Sequence, residues 1–478
     1  MRTIWYMGVK TRLTDAISAA VAEAAPRGEG VLDLMSGSAA VSTSLAGRYK
    51  VWANDVQAYA QAIARAYLEH DERSKAVLAR LDPEADLGAA YRENQAALLE
   101  LLGPAVALED AHLRAAGLAV AGRDSGEHPD DAGLFDQAEV EGRRRVPGDA
   151  RDRASAYRDF ALQRTPAFLE ERDAKPSGVF RRAAPLFERE RVLARRADPS
   201  QAPYHLAASY YPNVYLGLRQ AIAVDSLRYA IDQLRGRGRA VKRAHYLAAL
   251  LHATSVTTSA TSHFCQPRGL VRDSEVQAVL RRRSVSIPSR MLAFSRAIRA
   301  TVSEIEHRPG NAAHCGDWRE RFAQGLEEID VVYADPPYTS DNYSRFYHAL
   351  EVLTRYDYPE LQVKAGKTTK GRYPVIGRRH RSPFCNRRRV ERELADLCAA
   401  SAKAGAGLVL SYAQENGLLF KVYRDQGLTP RRARERFLDL ARAVYRDVRL
   451  ETQALMHSGQ GDSNHEVTEL LLIARDPK

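Results

Sequence analysis

Residues 331–338 read Val-Val-Tyr-Ala-Asp-Pro-Pro-Tyr, and this octet predicts an open α/β sheet with a ligand-binding edge. Its first four residues form a short apolar run, which is typical of a buried strand. The two prolines lack an N–H donor and cannot continue a central strand, so the chain must leave the sheet there. Asp335 and Tyr338 are therefore expected at the strand's carboxyl end, where open α/β sheets bind ligands. The alternative is an ordinary proline-rich turn.

The groups in this turn are suited to hold a planar amine. The Asp335 carboxylate and a carbonyl oxygen fixed by the prolines are two acceptors for amine hydrogens. Tyr338 adds a flat ring against which a second ring can lie.

Strand and helix patterns alternate at both ends of the chain. The predicted strands are 31–34, 50–53, 331–334, 407–412, 448–455 and 467–474. The predicted helices of these regions are 14–25, 41–47, 56–70, 390–404 and 430–445. Alternation of this kind favours a mostly parallel, Rossmann-like sheet with right-handed crossovers, and the last two strands resemble an antiparallel hairpin.

The middle of the chain is rich in Ala, Arg, Glu and Leu and carries few strand signals. Helical periodicity recurs at 88–103, 155–171, 212–234, 240–254 and 289–306, whereas 123–154 is typical of a polar linker. We therefore predict a split α/β domain over 1–70 and 312–478. A large, mainly helical insertion over 71–311 separates its two parts.

Size and composition favour a soluble protein of two or three domains with a polyanionic partner. The 478 residues carry 71 Lys plus Arg against 60 Asp plus Glu, a net charge of +11. A solvated basic surface is the alternative. The four cysteines lie far apart, which indicates reduced thiols and a cytoplasmic location rather than a disulfide framework. We expect no membrane-spanning segment, because no stretch approaches about 20 apolar residues.

The loop after the first strand predicts close approach of the backbone to a ligand. Small residues, including Ser36 and Gly37, follow Asp33 and precede a helix whose N-terminus is positive. A simple strand–helix turn is the alternative. Asp55 ends the second strand, 22 residues after Asp33, and an acid at such a place accepts hydrogen bonds from ribose hydroxyls. Its alternative role is to cap the next helix.

Two further pairs are candidate ligand contacts. Lys10 follows Trp5 and Tyr6, so a cation beside aromatic rings could grip the carboxylate of a small zwitterion. Asp317 and Trp318 precede the strand of Asp335 and could contact the amino group and ring of an adenine. N-terminal packing and a helix cap, respectively, are the alternatives.

A basic segment follows Tyr338. Residues 364–392 contain eleven Lys or Arg and one acid, Glu391, interleaved with aromatic residues. Clustered cations of this kind fit phosphate contacts with a nucleic acid, and a disordered basic loop is the alternative.

These motifs together resemble the Dam-type family of adenine-specific (N6) DNA methyltransferases. The resemblance is carried by Asp335-Pro336-Pro337-Tyr338, by Tyr6-x-Gly8-x-Lys10, by Asn54-Asp55 and by the loop from Asp33. That loop reads Leu-Met-Ser-Gly-Ser here, whereas the family favours Phe-x-Gly-x-Gly, but small side chains are kept.

The resemblance implies S-adenosylmethionine as cofactor, double-stranded DNA as substrate and no metal. The implied catalytic residues are Asp335, Pro336, Pro337 and Tyr338. The implied cofactor contacts are Tyr6, Lys10, Asp55, Asp317 and Asp335, and the residue patterns above add Asp33, Ser36, Gly37 and Trp318 as candidates. The resemblance also implies that the insertion over 71–311, or a part of it, is the catalytic domain's target-recognition region. The expected reaction is methylation of N6 of a flipped-out adenine, in a restriction-modification or related defence system with cognate partner proteins.

Two other functions stay open at this point. Some enzymes that methylate guanine N2 in ribosomal RNA also carry Asp-Pro-Pro-Tyr, although they tend to be compact. A non-catalytic DNA-binding protein that retains the fold is the other alternative, and intact Lys10, Asp335 and Tyr338 argue against it.

Overall fold

The computed structural model describes residues 10, 13–25, 27–118, 148–162, 170, 178–261, 264–306, 308–458 and 464–478. The strands are β1 (Gly30–Asp33), β2 (Lys50–Asp55), β3 (Ala312–Cys315), β4 (Val331–Ala334), β5 (Val363–Lys364), β6 (Lys367–Thr368), β7 (Gly407–Ala413), β8 (Tyr445–Ser458) and β9 (Asn464–Pro477).

The helices follow in chain order. They are α1 (Thr14–Ala24), α2 (Ala40–Leu45), α3 (Ala58–Leu68), α4 (Glu72–Ala79), α5 (Ala89–Ala115), α6 (Ala150–Leu162), α7 (Arg189–Ala197), α8 (Leu206–Tyr210), α9 (Leu218–Gln233), α10 (Arg239–Thr257), α11 (Asp273–Arg283), α12 (Ile287–Glu304), α13 (Trp318–Ala323), α14 (Tyr343–Phe346), α15 (His348–Arg355), α16 (Val390–Lys403), α17 (Leu418–Asp425) and α18 (Pro430–Arg442). Short 3₁₀ segments lie at Gly178–Phe187, Ile376–Arg378 and Pro383–Cys385, and a π-helical turn lies at Glu84–Gly88.

A seven-stranded sheet has the order β3-β2-β1-β4-β7-β9-β8. The first five strands of this order are parallel, and β9 pairs antiparallel with both β7 and β8. The predicted α/β fold, mostly parallel with antiparallel C-terminal strands, is therefore confirmed. From β1 the chain goes to β2 on one side and later to β4 on the other, so β1 and β4 flank a topological switch point.

The strands β1, β4 and β7 are buried along their whole length, because their residues are mostly apolar and helices cover the sheet. One face of the sheet packs Leu32, Val332, Leu408 and Leu472 into a core that includes Leu394 of α16. Burial of each such leucine contributes about 1.5–3 kcal/mol. The packed sheet therefore fixes the positions of the residues that follow its strands.

The described chain divides into two compact units. One contains the described residues of 6–75, 301–344 and 380–478 and carries the seven-stranded sheet. The other contains 76–300 and 345–379; it is mainly helical and includes the two-stranded sheet of β5 and β6. The domain limits predicted from the sequence, 1–70 with 312–478 against 71–311, stay a prediction.

Several element predictions differ in detail from the structure. The helix predicted over 212–234 begins at Leu218, because Asn213 has a left-handed φ of 59° and Gly217 is extended. The helix predicted over 155–171 is α6, and residues 163–169 lie outside the described residues. Most of the predicted linker, at 123–147, also lies outside them. The strand β3 was missed, because Ala-Ala-His-Cys carries no β-branched residue.

Two general expectations can be compared with the structure. Cys265, Cys315, Cys385 and Cys398 are all free thiols. Within the described ranges, no helix combines the length and the apolar character needed to cross a bilayer.

Candidate active site

A solvent-open cavity of about 820 Å³ lies at the carboxyl ends of four parallel strands, within the sheet-bearing unit. Each of β1, β2, β3 and β4 contributes the residues that follow or end it. The lining consists of Leu34, Met35, Asn54, Asp55, Val56, Gln57, Gly316, Asp317, Trp318, Asp335, Pro336, Pro337, Tyr338, Asn342, Tyr343, Ser344, His380, Ser382 and Phe384. The octet and the end of β2, which are distant in sequence, thus face one space.

Asn54 fixes the strand ends around this cavity. Its side-chain amide donates to the carbonyl oxygens of Leu34 and Gly316, each at 3.2 Å. These carbonyls follow β1 and β3, so one buried side chain ties three strand ends together.

Asp335 directly follows β4 and belongs to a buried charge cluster. The ammonium of Lys10 lies 3.2 Å from Asp335 Oδ1 and 2.6 Å from Glu469 Oε1. Ser411 Oγ donates to the same Glu469 oxygen at 2.5 Å. The side chains of Lys10 and Glu469 are 7% and 5% exposed, and that of Asp335 is 19% exposed. One buried cation therefore bridges two carboxylates, of which only Asp335 lines the cavity.

Burial and the charges of this cluster shift the pKa values of Asp335 and Lys10. Burial raises the pKa of Asp335 to about 6; the Lys10 ammonium opposes this rise and the Glu469 carboxylate adds to it. Burial would lower the pKa of Lys10, but the charges of Asp335 and Glu469 more than offset this effect and raise it. At neutral pH, Lys10 is an ammonium and most of Asp335 is a carboxylate acceptor.

Contacts to α17 and β7 hold the turn after Asp335. The amide of Leu418, the first residue of α17, donates to the Tyr338 carbonyl oxygen at 2.7 Å. The Tyr338 ring meets Tyr412 edge-on, with centroids 6.5 Å apart, and lies 5.8 Å from the Lys10 ammonium. Tyr338 is half-buried and lines the cavity. Among the described residues, no donor is found for the Pro336 carbonyl oxygen, which remains an acceptor.

Asp55 lines the cavity and holds the loop after β1. Its Oδ2 accepts from the amide of Gly37 at 3.0 Å, and its Oδ1 accepts from the amide of Gln57 at 2.9 Å. Gly37 has a φ of 50°, in the left-handed region that favours glycine. The Asp55 carboxylate therefore accepts from a backbone donor at each of its two oxygens.

Besides Lys10, three predicted residues do not line the cavity. Asp33 is buried, and its Oδ2 accepts from the Ser42 amide at 3.1 Å and the Ser42 hydroxyl at 2.5 Å, so it fixes α2. Burial raises the pKa of Asp33 to about 7, which the hydrogen bonds from Ser42 oppose. Ser36 and Gly37 lie in the buried loop, and Ser36 Oγ has no hydrogen-bond partner in the described part of the chain.

Asp317 and Trp318 line the cavity but have structural partners as well. Asp317 caps α13 by accepting from the Arg319 amide at 3.0 Å, as the helix-cap alternative predicted. The Trp318 ring is buried, and its N–H donates to Glu393 at 3.1 Å. Tyr6 lies outside the described residues.

Sequence reasoning missed several residues of this region. Glu469 had a usable signal, because it is the acid that directly precedes the apolar run 470–474 of a strand. Gln57 is buried, lines the cavity and has a side-chain oxygen without a partner among the described residues. His380 also lines the cavity, and burial lowers its pKa while the Asp317 charge opposes this shift.

One segment of the chain matches a known family in sequence. Residues 294–381, which include β3, β4 and the octet, match the family model of the D12 class N6 adenine-specific DNA methyltransferases. The predicted resemblance to adenine-specific DNA methyltransferases is therefore confirmed.

A curated relative carries the same kind of name. The chain is 28% identical, over 206 residues, to Modification methylase LlaI of Lactococcus lactis subsp. lactis. This alignment covers 41% of the chain and 28% of the relative, so the chain spans well under a third of that protein's length.

Proposed function

We propose that the protein transfers a methyl group from S-adenosylmethionine to N6 of adenine in double-stranded DNA. The observation that carries this proposal is the shared cavity: Asp55 at the end of β2 and Asp335–Tyr338 after β4 line one space. A cofactor site and a base site can therefore adjoin, as methyl transfer between two bound molecules requires. The D12-class match over the octet supports the choice of adenine N6.

The residues at the strand ends fit S-adenosylmethionine. The Asp55 carboxylate lines the cavity at the end of β2 and is held by two backbone amides, and we propose that it also accepts from ribose hydroxyls. Gln57 offers a buried oxygen without a partner among the described residues, and Ser36 offers such a hydroxyl nearby in the loop. Trp318, which lines the cavity, is proposed as a further contact, whereas the buried Lys10 does not line it. When bound, S-adenosylmethionine would supply an activated methyl group on a sulfonium centre.

The octet is proposed to hold the target base. The exocyclic nitrogen of adenine is a poor nucleophile, because its lone pair is delocalised into the ring. Asp335 and the Pro336 carbonyl would accept the two amine hydrogens, which localises that lone pair on the nitrogen. Tyr338 would stack on the base, which must leave the duplex to reach the cavity.

Lys10, Glu469 and Ser411 are proposed as positioning residues for Asp335. The Lys10 ammonium holds the Asp335 carboxylate from below the cavity surface, and Glu469 fixes Lys10 at 2.6 Å. Because Ser411 in turn donates to Glu469, the chain of contacts is anchored in β7. This arrangement fixes the direction of the acceptor before substrate binds.

The biological role is proposed from the relative. That protein is named a modification methylase, and we propose that this chain likewise modifies host DNA beside a restriction or related defence system. The basic surplus of +11 supports DNA as the partner.

The test is transfer of a labelled methyl group from S-adenosylmethionine to plasmid DNA and, in parallel, to ribosomal RNA. We expect label in plasmid DNA, with N6-methyladenine at one sequence motif when DNA from an expressing host is sequenced with modified-base detection. Label in RNA alone would establish the RNA methyltransferase alternative. No transfer, together with no heat of S-adenosylmethionine binding in calorimetry, would support the non-catalytic alternative.

A further inference from the structure

A second open cavity, of about 760 Å³, adjoins the candidate active site within the same unit. It is formed by the turn after the octet and by the segment that leads into α16. The lining consists of Ser340, Asn342, Arg381, Ser382, Pro383, Cys385, Asn386 and Arg389. Asn342 and Ser382 also line the active-site cavity, so the two spaces share a wall.

The second cavity is positively charged. Arg381 and Arg389 are exposed and have no carboxylate partner among the described residues. By contrast, Arg387, two residues before Arg389, forms an ion pair with Asp425. Asp341, which lies between the lining residues Ser340 and Asn342, is an acid of this turn and accepts from the Thr339 hydroxyl at 3.2 Å. Two guanidinium groups against one acid leave a net positive charge.

The other lining groups suit an oxyanion. Ser340 and Ser382 carry hydroxyls, and Asn386 carries a side-chain amide. The helix α16 begins at Val390, directly after the lining residue Arg389, so its positive N-terminus is adjacent to the cavity in sequence. Each guanidinium group presents its N–H donors in a fixed fork that matches the oxygens of a phosphate.

We propose that this cavity is the binding site, here called the phosphate seat, for a phosphodiester group of the DNA strand that carries the target adenine. The inference rests on the proposed function and deepens it. In this proposal a base held by Asp335 and Tyr338 leaves its sugar and phosphates at the rim of the active-site cavity, and Asn342 and Ser382 at that rim also line the second cavity. A carboxylate of the bound cofactor is a second source of the same oxyanion chemistry, and the test separates the two.

The first measurement compares R381A, R389A and the double variant with R387A as matched control. We expect each single variant, R381A and R389A, to bind a duplex oligonucleotide about tenfold more weakly than wild type. The slope of log affinity against log salt concentration should fall by about one in each. R387A should bind almost as wild type, because its guanidinium is already paired with Asp425. Affinity for S-adenosylmethionine, measured by calorimetry, should not change in any of the variants.

The second measurement replaces single phosphates of the target strand by neutral methylphosphonates. One position beside the target adenine should weaken binding to wild type about tenfold and leave the already weakened double variant unchanged. The inference is overturned if no position behaves in this way, or if the seat variants lose affinity for S-adenosylmethionine instead. Wild-type methylation of the same duplex is measured throughout: if it is absent the proposed function fails, and if it is present only the phosphate seat is in question.

Discussion

Asp55 and Asp335 both terminate parallel strands and line one cavity, but different groups hold them. Asp55 accepts hydrogen bonds from two backbone amides, at 3.0 and 2.9 Å. Asp335 faces a side-chain ammonium at 3.2 Å, and that ammonium is shared with a second carboxylate, Glu469. The first acid is fixed by the main chain, and the second by a balance of charges.

This difference indicates different tasks. Backbone donors fix an acceptor in place and keep it an acceptor, which suits recognition of hydroxyl groups. A carboxylate whose pKa burial raises to about 6 stays ionised at neutral pH and still responds to nearby charge, which suits contact with a reacting amine. We therefore expect substitutions at Asp55 to affect cofactor affinity, and substitutions at Asp335 to affect the rate of transfer.

The largest effect is expected at Asp335. D335A removes the proposed acceptor for the amine and should lower the methylation rate about 10²–10³-fold. The fold should persist, because Lys10 keeps Glu469 as its partner at 2.6 Å. Single-turnover transfer of labelled methyl groups measures the rate, and thermal unfolding checks the fold. A folded D335A with undiminished transfer would contradict the role given to this carboxylate.

The positions of both acids at strand ends could be predicted from the sequence. The octet predicted the buried strand β4, the exit of the chain from the sheet and a ligand-facing Asp335, because apolar residues and prolines act locally. Asp55 was placed at the end of β2 by the strand–helix alternation, which is also local.

The charge cluster that holds Asp335 could not be predicted, because it depends on the order of the strands in the sheet. Glu469 contacts Lys10 across 459 positions of the chain, and this pairing follows only from β9 lying next to β7 in the sheet. No local pattern gives that strand order. Asp317 was ambiguous for a similar reason, since a helix cap and a cavity-lining acid have the same local sequence.

The second prediction concerns Asp55. D55A removes a charged acceptor of cofactor hydroxyls and of the Gly37 amide, and should raise the Kd for S-adenosylmethionine about 10–150-fold. The rate at saturating cofactor should fall much less than in D335A. Calorimetry gives the Kd and single-turnover kinetics the rate; a variant with normal affinity and a lost rate would remove the distinction between the two acids.

The third prediction sharpens the base side of the cavity. Y338A should lower the transfer rate about 5–150-fold, because stacking of a base on an aromatic ring contributes about 1–3 kcal/mol. Y338W keeps an aromatic face and should retain most of the activity. Equal losses in the two variants, measured with the same duplex, would argue against stacking.

The smallest expected effect is a change of pH dependence. The titratable and charged groups around Asp335 are Lys10, Asp33, Tyr333, Tyr338 and Glu469. Among them, the Glu469 charge raises the pKa of Asp335 and the Lys10 charge lowers it. If the ionised carboxylate is the active form, wild-type transfer declines as the pH falls through about 6.

E469Q removes the charge that raises the pKa of Asp335 and leaves Lys10 to stabilise the carboxylate alone. The acidic limb of the rate profile should therefore move to lower pH, whereas S411A, which keeps the Glu469 charge, should leave the limb in place. Single-turnover rates between pH 5 and 8 measure both variants, with that range chosen to bracket a pKa of about 6. An unmoved limb in E469Q would mean that a group other than Asp335 sets it, and that the charge balance at the end of β4 does not govern the reaction.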